Sequence, residues 1–198
     1  MLNYIVFVTG ALNMIGSIVY VKDMFAGRAK PNKVTWLMWS LGGLIAGSVA
    51  LSQGITFAAV PIFVSGLSPL MVFVFSLFIK EAYWELKPLD WVCGAFSVCA
   101  LIAWLGISQP IIAIFLAIIS DGLASLPTMV KSWEYPETES MLTYVGGLLS
   151  NGSAFLVTAS FTVESIAFSS YSTFVCAFIL FAIYRKKIQS LFQPSAIN

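Results

Sequence analysis

The sequence predicts an all-α integral membrane protein whose seven transmembrane helices form two parallel three-helix repeats joined by a linker helix. Composition is the first observation behind this prediction: 59% of the 198 residues are hydrophobic and only 10% are charged, whereas soluble domains carry about 25% charged residues. The second observation is a series of seven apolar segments, each close to the roughly 20 residues that a helix needs to cross a bilayer. The third is an internal repeat between the two halves of the chain.

The seven apolar segments leave little sequence for an aqueous domain. In chain order they are Leu2–Val21, Val34–Leu51, Ile55–Ile79, Trp91–Ile107, Pro110–Val130, Met141–Phe161 and Val163–Tyr184. We expect a first three-helix repeat over residues 1–80, a loop and linker helix over 81–108, a second repeat over 109–187 and a tail over 188–198. Basic residues follow the first segment rather than precede it, which is the reverse of a signal peptide, so we predict a retained helix.

The basic residues predict the orientation of the chain in the membrane. They lie in the first loop (Lys22, Arg28, Lys30 and Lys33), the third (Lys80 and Lys87), the fifth (Lys131) and the C-terminal region (Arg185, Lys186 and Lys187). The other loops carry none. Because basic residues are retained on the cytoplasmic side, we expect the N-terminus outside and the C-terminus in the cytoplasm, in a plasma or inner membrane.

Tryptophans cluster near the ends of the apolar segments. This position is typical of the membrane interface, where the indole ring is buried and its N–H stays hydrated. We interpret Trp36, Trp84, Trp91 and Trp133 in this way. Trp39 lies about one helical turn deeper than Trp36, and both a packing role and a ligand-stacking role are open for it.

The internal repeat becomes visible when the chain is shifted by 105 residues. Eight of the 28 positions between Met24 and Leu51 are then identical, including the pairs Pro31/Pro136 and Gly42/Gly147. The same shift, give or take a few residues, aligns the third segment with the seventh and the first with the fifth, and leaves the fourth without a counterpart. Equivalent helices are four apart, so both repeats have the same orientation across the membrane, a plan known in transporters.

One stretch of the second repeat carries a family resemblance. SLPTMVKSWEYPETESMLTYVGGLLS, Ser125–Ser150, resembles the second signature of the PQ-loop and SWEET-like (MtN3-type) transporters, in which a proline near a helix end precedes a short polar loop and an apolar helix. Pro127 matches the signature proline, whereas Thr128 stands where the family commonly has glutamine. The first copy has Lys22 and Asp23 at the corresponding places, and the third and seventh segments lack the asparagine of sugar-binding members.

The resemblance covers nearly the whole chain in topology. It implies the plan of three, one and three helices and an outside N-terminus. Relatives with this plan carry sugars, amino acids or vitamin-like nucleosides, and one group consists of cargo receptors that transport nothing. The resemblance therefore implies a solute carrier and leaves a receptor as the alternative.

Polar residues inside the apolar segments are the candidate site residues, because such groups usually face the bundle interior or a hydrated cavity. Asp121 is the only acid well inside a segment, and the chain has no histidine and no cation at a comparable depth. Its carboxyl group is therefore expected to be neutral or bonded to hydroxyl groups. Proton coupling, substrate binding and a hydrogen bond between helices are all open for it.

A second set of candidates lies on the second and sixth segments. Asn151 is about midway along the sixth segment, where its amide group can both donate and accept. Under the shift of 105 residues Tyr144 corresponds to Trp39, and Asn151 to Ala46. We predict a pocket with an aromatic residue and a polar or small residue on each side. Close helix packing through small residues, which needs no ligand, is the alternative.

The third and seventh segments are expected to complete this pocket through Ser65 and Ser172. Serines in membrane helices often bond only their own backbone, which is the alternative for both. Pro61, Pro69 and Pro127 remove backbone donors and are candidate hinges for alternating access. Static kinks are the alternative for the prolines.

Enzymatic functions are disfavoured by the sequence. It has no histidine, its three cysteines lie in apolar runs without metal-ligand spacing, and it lacks glycine-rich phosphate motifs. We predict a transporter without cofactor or metal, which carries a small neutral or weakly cationic solute by alternating access, with proton coupling open. The expected partners are the solute and the lipid bilayer but no nucleic acid, and a homo-oligomer is left open. A membrane receptor or sorting protein on the same scaffold is the main alternative, and a structural subunit is a third.

Overall fold

Seven α-helices make up most of the chain in a computed structural model, which describes residues 2–79, 85–106 and 109–192. The helices are α1 (Ile5–Phe25), α2 (Lys33–Ser52), α3 (Ala59–Ser76), α4 (Pro88–Leu105), α5 (Pro110–Glu134), α6 (Met141–Val157) and α7 (Val163–Phe192). Short 3-10 helices precede α1 and α6, at Leu2–Tyr4 and Pro136–Thr138. These described ranges contain no strand, and the all-helical prediction with seven helices is confirmed.

The helices have the length and surface of an integral membrane protein. Five of them, α1, α2, α3, α5 and α7, are long and apolar enough to cross a bilayer. Two shorter apolar segments are α6 and Pro88–Cys99 in α4. Large apolar side chains lie exposed on the outer surface, among them Phe7, Phe96 and Phe174. A surface of this kind is stable in contact with lipid rather than water.

The helix ends differ from the sequence prediction in several places. Helix α1 continues to Phe25 and α5 to Glu134, so that charged residues assigned to loops lie in the last turns of helices. Helix α6 ends at Val157 rather than Phe161, because Thr158 adopts an extended conformation, with φ −70° and ψ 130°. Lys80, Trp84 and Ile107 lie outside the described residues.

Contacts between helices follow a regular pattern. Helix α3 packs against α1 and α2, and α7 packs against α5 and α6. In addition, α1 packs against α6 and α2 packs against α5, while α4 lies against α5 and α2.

The α1–α6 pair and the α2–α5 pair are both antiparallel. Thr9 bonds Ser153, and Ser17 nearer the other end of α1 bonds Thr143. Correspondingly, Thr35 of α2 bonds Thr128, near the C-terminal end of α5. The C-terminal ends of α1 and α5 therefore meet the N-terminal ends of α2 and α6. We name this the Lys131 end of the bundle, and the opposite one the Gln53 end.

Glycines allow the closest helix contacts. A methyl group added at Gly43 in α2 would lie 2.5 Å from the backbone nitrogen of Gly66 in α3, and one added at Gly146 in α6 would lie 2.5 Å from Cα of Asn13 in α1. Non-bonded carbon and nitrogen atoms do not approach this closely, so a side chain at either glycine would push the helices apart. These helices therefore pack through small residues, as membrane helices commonly do. Gly43, one helical turn after Trp39, packs against α3.

Two buried apolar clusters lie at different depths of the bundle. The larger one lies toward the Lys131 end and includes Tyr20, Trp36, Trp39, Tyr144 and Ile179. The smaller one lies toward the Gln53 end and consists of Ala46, Ala50, Ala59, Ile62, Ala117 and Phe168. The space between the two clusters holds the polar side chains described next.

Candidate functional site

A cavity of about 60 Å³, measured with a water-sized sphere, lies in the middle of the bundle. Six of the seven helices line it, and α4 contributes no lining residue among those described. All five residues predicted to bind a solute line this cavity: Trp39, Ser65, Tyr144, Asn151 and Ser172. A single water needs about 10–15 Å³ by this measure. The cavity as it stands therefore accommodates a few waters or one small chemical group.

Asp121 reaches the cavity from the middle of α5 and is the only charged residue among its described lining residues. Its carboxylate lies against α2, where a methyl group added at Gly42 would be 2.8 Å from Oδ1. Gly42 thus leaves room for the acid between the two helices. No arginine or lysine side chain lies among the described lining residues, so the cavity is either neutral or negative.

The two predicted aromatic residues use their polar atoms within the protein. The indole N–H of Trp39 donates to Ser125 Oγ at 2.7 Å, and the hydroxyl of Tyr144 donates to Glu139 Oε2 at 2.6 Å. The ring centroids of Trp39 and Tyr144 are 6.4 Å apart and their planes are nearly perpendicular, at 81°. Both residues can therefore offer a solute their ring surfaces only.

Asn151 is 1% exposed and lies on the α6 wall of the cavity. Its Nδ2 atom donates to the Gly147 carbonyl group at 3.0 Å. Its Oδ1 atom is buried and has no hydrogen-bond partner among the described residues. A buried acceptor without a donor is destabilising, so the arrangement is suited to a ligand or water that donates to this oxygen.

The remaining predicted residues have mixed positions. The Ser65 hydroxyl donates to its own helix, to the Ile62 carbonyl group at 2.7 Å, as the alternative interpretation expected. Pro69 interrupts α3 beside the cavity, and Pro127 interrupts α5 nearer the Lys131 end. Pro61 is the third residue of α3, where the amide has no acceptor in the helix in any case. Pro61 therefore interrupts no hydrogen bond of α3, and a hinge at this residue stays a prediction from the sequence.

Asn13 of α1 is a cavity residue that the sequence interpretation missed. It is buried, and its Oδ1 atom accepts a hydrogen bond from the Ser68 hydroxyl at 3.1 Å. Asn13 and Ser68 both line the cavity. The signal was available, since Asn13 is an amide inside an apolar segment in the same sense as Asn151.

Trp36 is a second difference, because its interpretation as an interfacial residue is wrong. It is only 2% exposed, and its ring packs 4.8 Å from that of Tyr20 and 5.2 Å from that of Trp39, centroid to centroid. Its N–H has no hydrogen-bond partner among the described residues. By contrast, Trp91 and Trp133 are 64% and 42% exposed, as expected for residues at the membrane surface.

A buried ion pair closes the Lys131 end. Lys131 Nζ lies 2.6 Å from Glu139 Oε1, with side chains 1% and 0% exposed, and it also donates to the Lys30 carbonyl group. The hydroxyls of Tyr20 and Tyr144 donate to Glu139 Oε2 at 3.0 and 2.6 Å. The sequence predicted Lys131 in a loop, whereas it lies in the last turn of α5 and is part of this network.

Only one layer of side chains separates the cavity from the Lys131 end. Tyr144 lines the cavity and bonds Glu139, and Glu139 itself borders a surface groove of about 300 Å³. Asp23 and Arg28 form an ion pair at 2.6 Å on the rim of this groove. Tyr20, Trp36, Trp39 and Tyr144 thus form an aromatic layer between the cavity and the groove.

The part of the chain that the structure describes holds no group of three or more acids, cysteines or histidines able to bind a metal ion. Comparison of the sequence and structure with known family models, curated proteins and solved structures finds no match. The resemblance of Ser125–Ser150 to the PQ-loop and SWEET-like transporters therefore stays a prediction from the sequence.

Proposed function

We propose that this protein is a membrane transporter that binds a small solute in the central cavity and moves it by alternating access. The cavity carries this proposal. Polar groups are costly within the membrane and mark solute or ion pathways when they face a shared interior space. Here Asn13, Asp121, Asn151 and several serines face one space at mid-depth, and solute sites of transporters lie near the midplane.

We further propose that the scaffold consists of two parallel three-helix repeats, α1–α3 and α5–α7, joined by α4. The helix contacts support this plan, because each has a counterpart four helices on: α1–α3 and α5–α7, α2–α3 and α6–α7, α1–α6 and α5–α2. The shift of 105 residues also pairs Trp39 with Tyr144, and both line the cavity. The solute would then lie between the repeats, where a rocking motion changes its access.

The barriers at the two ends of the cavity differ in kind. Toward the Lys131 end, Tyr20 of the first repeat donates to Glu139 of the second, so a polar network ties the repeats together beyond the aromatic layer. Toward the Gln53 end, the barrier is the smaller apolar cluster, made largely of alanine with Ile62 and Phe168. Opening one barrier while the other holds would give alternating access, with Pro69 and Pro127 as the points of bending.

The proposed orientation places the Lys131 end in the cytoplasm of a plasma or inner membrane. It rests on the basic residues, which lie near that end of the described bundle and follow the positive-inside rule. Asp121 is the acid through which proton movement would be coupled to transport, because it is the only ionisable carboxyl group among the described lining residues.

Counterflow of labelled solutes tests the transport proposal. Purified protein in proteoliposomes preloaded with unlabelled sugars, amino acids, amines or nucleosides should take up the matching labelled solute transiently and saturably. Empty liposomes and the Gly152→Ala variant serve as controls, since a methyl group at Gly152 has nothing within 4 Å. Saturable binding of a solute without counterflow would reject transport.

A receptor or sorting protein on the same scaffold is the second candidate. One observation favours it: the Lys131 end is closed by a fully buried ion pair and two tyrosine hydrogen bonds, and exposing such a network is energetically costly. A receptor needs to bind its ligand without opening that end. Binding in the absence of counterflow is the result that this candidate predicts.

A further inference from the structure

Most hydrogen-bond donors around the central cavity are already used within the protein. The Trp39 N–H donates to Ser125 and the Tyr144 hydroxyl donates to Glu139. The hydroxyls of Ser65 and Ser68 donate to the Ile62 carbonyl group and to Asn13 Oδ1. A solute in the cavity therefore meets few donors from these four side chains.

The Asn151 acceptor, by contrast, is left available. Its amide orientation is fixed, because Nδ2 lies 3.0 Å from the Gly147 carbonyl oxygen and a reversed amide would bring two oxygens together. The buried atom without a described partner is therefore the acceptor Oδ1. Because Asn151 lines the cavity, a donor that enters the cavity can satisfy this oxygen.

Asp121 adds a second acceptor, on the α5 side of the same cavity. An ammonium cation that enters the cavity favours the ionised form of Asp121, and an ionised carboxylate accepts hydrogen bonds and donates none. The described lining residues contain no positive side chain that would compete for it. The aromatic residues Trp39, Tyr144 and Phe168 also line the cavity. Aromatic faces attract cations through the negative potential of the ring.

The combination of carboxylate, amide oxygen and aromatic faces is suited to one chemical class. A primary ammonium group brings a positive charge and three N–H donors for the two carboxylate oxygens of Asp121 and the amide oxygen of Asn151, and its alkyl chain can contact the rings. An anion would be repelled by an ionised Asp121, and a neutral polyol would lack the positive charge that the carboxylate attracts. A bare metal ion would need more oxygen ligands than these walls provide.

We propose that the solute is an organic ammonium cation whose charged group binds between Asp121 and Asn151 Oδ1, an inference that rests on the proposed transport function. The cavity volume of about 60 Å³ has room for an ammonium group with a short alkyl chain. A longer solute would extend toward whichever end of the bundle opens.

Three probes of similar size test the class: propylammonium, 1-propanol and propionate. Each is titrated at pH 7 onto the purified protein in detergent, and binding is followed by saturation-transfer NMR. Propylammonium should bind saturably, and at least about 10-fold more tightly than either of the others, because a charge-assisted bond to a carboxylate is much stronger than a neutral one. Asp121→Asn should weaken propylammonium binding by about 10-fold or more and remove most of the preference over propanol. Gly152→Ala is the matched control and should bind as the wild type does.

Equal or tighter binding of propanol or propionate would overturn the assignment, as would absence of saturable propylammonium binding. An Asp121→Asn protein that elutes as a single species and binds propylammonium unchanged would also overturn it. If that variant fails to fold, Asn151→Ala decides in its place, and it should weaken propylammonium about 5-fold or more. These binding measurements need no movement of solute across a membrane. They can therefore reject the ammonium assignment independently of the counterflow experiment, which tests transport.

Discussion

Glu139 joins the two halves of the chain at a single carboxylate. It receives Lys131 on one oxygen and the hydroxyls of Tyr20 and Tyr144 on the other. Because Tyr144 also lines the cavity, the side chain that a solute would touch is held in place by an acid one layer away. Changes at Glu139 should therefore affect both stability and the shape of the site.

The Glu139→Gln variant should lose much of its stability. It removes the negative partner of a fully buried lysine, and breaking such a pair typically costs about 3–5 kcal/mol. The matched control is Glu134→Gln, since Glu134 pairs with Lys87 at 3.7 Å on the surface, with side chains 48% and 53% exposed, and such pairs contribute about 0–1 kcal/mol. SDS-induced unfolding followed by circular dichroism measures both. Equal losses of unfolding free energy in the two variants would contradict the larger contribution assigned to the buried Lys131–Glu139 pair.

Solute binding should depend on Trp39 and Asn151. Trp39→Ala removes a ring face and Asn151→Ala removes a hydrogen-bond acceptor, each worth roughly 1–3 kcal/mol, so affinity for the solute identified by counterflow should fall about 5- to 150-fold. Trp91→Ala is the matched control, because Trp91 lies exposed on α4. Titrations on variants that elute as single species provide the measurement. Unchanged affinity in both variants would place the site elsewhere.

At the residue scale, the sequence identifies residues that a single physical rule marks. It does not place residues whose position depends on contacts with distant segments of the chain. Asp121 and Asn151 can be found because a polar group inside an apolar run is conspicuous, and both line the cavity. Trp36 and Lys131 cannot be placed in this way. The Lys30 backbone bonds Lys131 and Thr138, so the loop before α2 lies against the segment that connects α5 and α6. Only the folded chain brings these two segments together.

At the element scale, α2 has a defined beginning that helps to hold α4. The Asn32 side chain accepts from the backbone amides of Val34 and Thr35 at 3.1 and 3.3 Å, which caps the helix. Its Nδ2 atom donates to Asp90 in the first turn of α4. The start of α2 near residue 34 was predictable from the polarity change, whereas the bond to α4 depends on tertiary structure.

The contact between α2 and α3 should tolerate no side chain at Gly43. Gly43→Ala places a methyl group 2.5 Å from the Gly66 backbone, and forcing the helices apart should cost about 1–3 kcal/mol. Gly152→Ala in α6 meets nothing within 4 Å and should be neutral or stabilising by up to about 1 kcal/mol, because alanine is the better helix former. The same SDS unfolding experiment compares them. A Gly43→Ala protein as stable as Gly152→Ala would mean that the helices are farther apart than described.

At the scale of the whole molecule, the composition and the apolar segments predicted the all-helical fold. They could not predict which helices pack together, because apolar helices in lipid lack a strong hydrophobic preference for one partner. That choice is made by local features such as Gly43 against Gly66 and Gly146 against Asn13. A glycine in an apolar segment indicates that a close helix contact is possible, but it does not indicate which helix is the partner.

The orientation can be tested by cysteine labelling in sealed cells, with the native Cys93, Cys99 and Cys176 replaced. Single cysteines at Gln53, Gln109 and Thr162 should react with an impermeant thiol reagent from outside, because these exposed positions lie at the Gln53 end. Cysteines at Tyr135 and Glu137, which are also exposed, should react only after the cells are permeabilised. Ala29 is only 1% exposed and is unsuitable as a probe. The reverse labelling pattern would invert the proposed orientation.

Burial of Lys131 also has a consequence for biosynthesis. In the proposed orientation, Lys131 would act during insertion as one more of the basic residues that are retained in the cytoplasm, and nearby acids such as Glu139 would contribute little to this effect. Once α1, α5 and α6 assemble, the same ammonium group is enclosed with Glu139 and is removed from the surface. In that orientation, Lys131 contributes a topology signal during insertion and a buried ion pair in the folded protein.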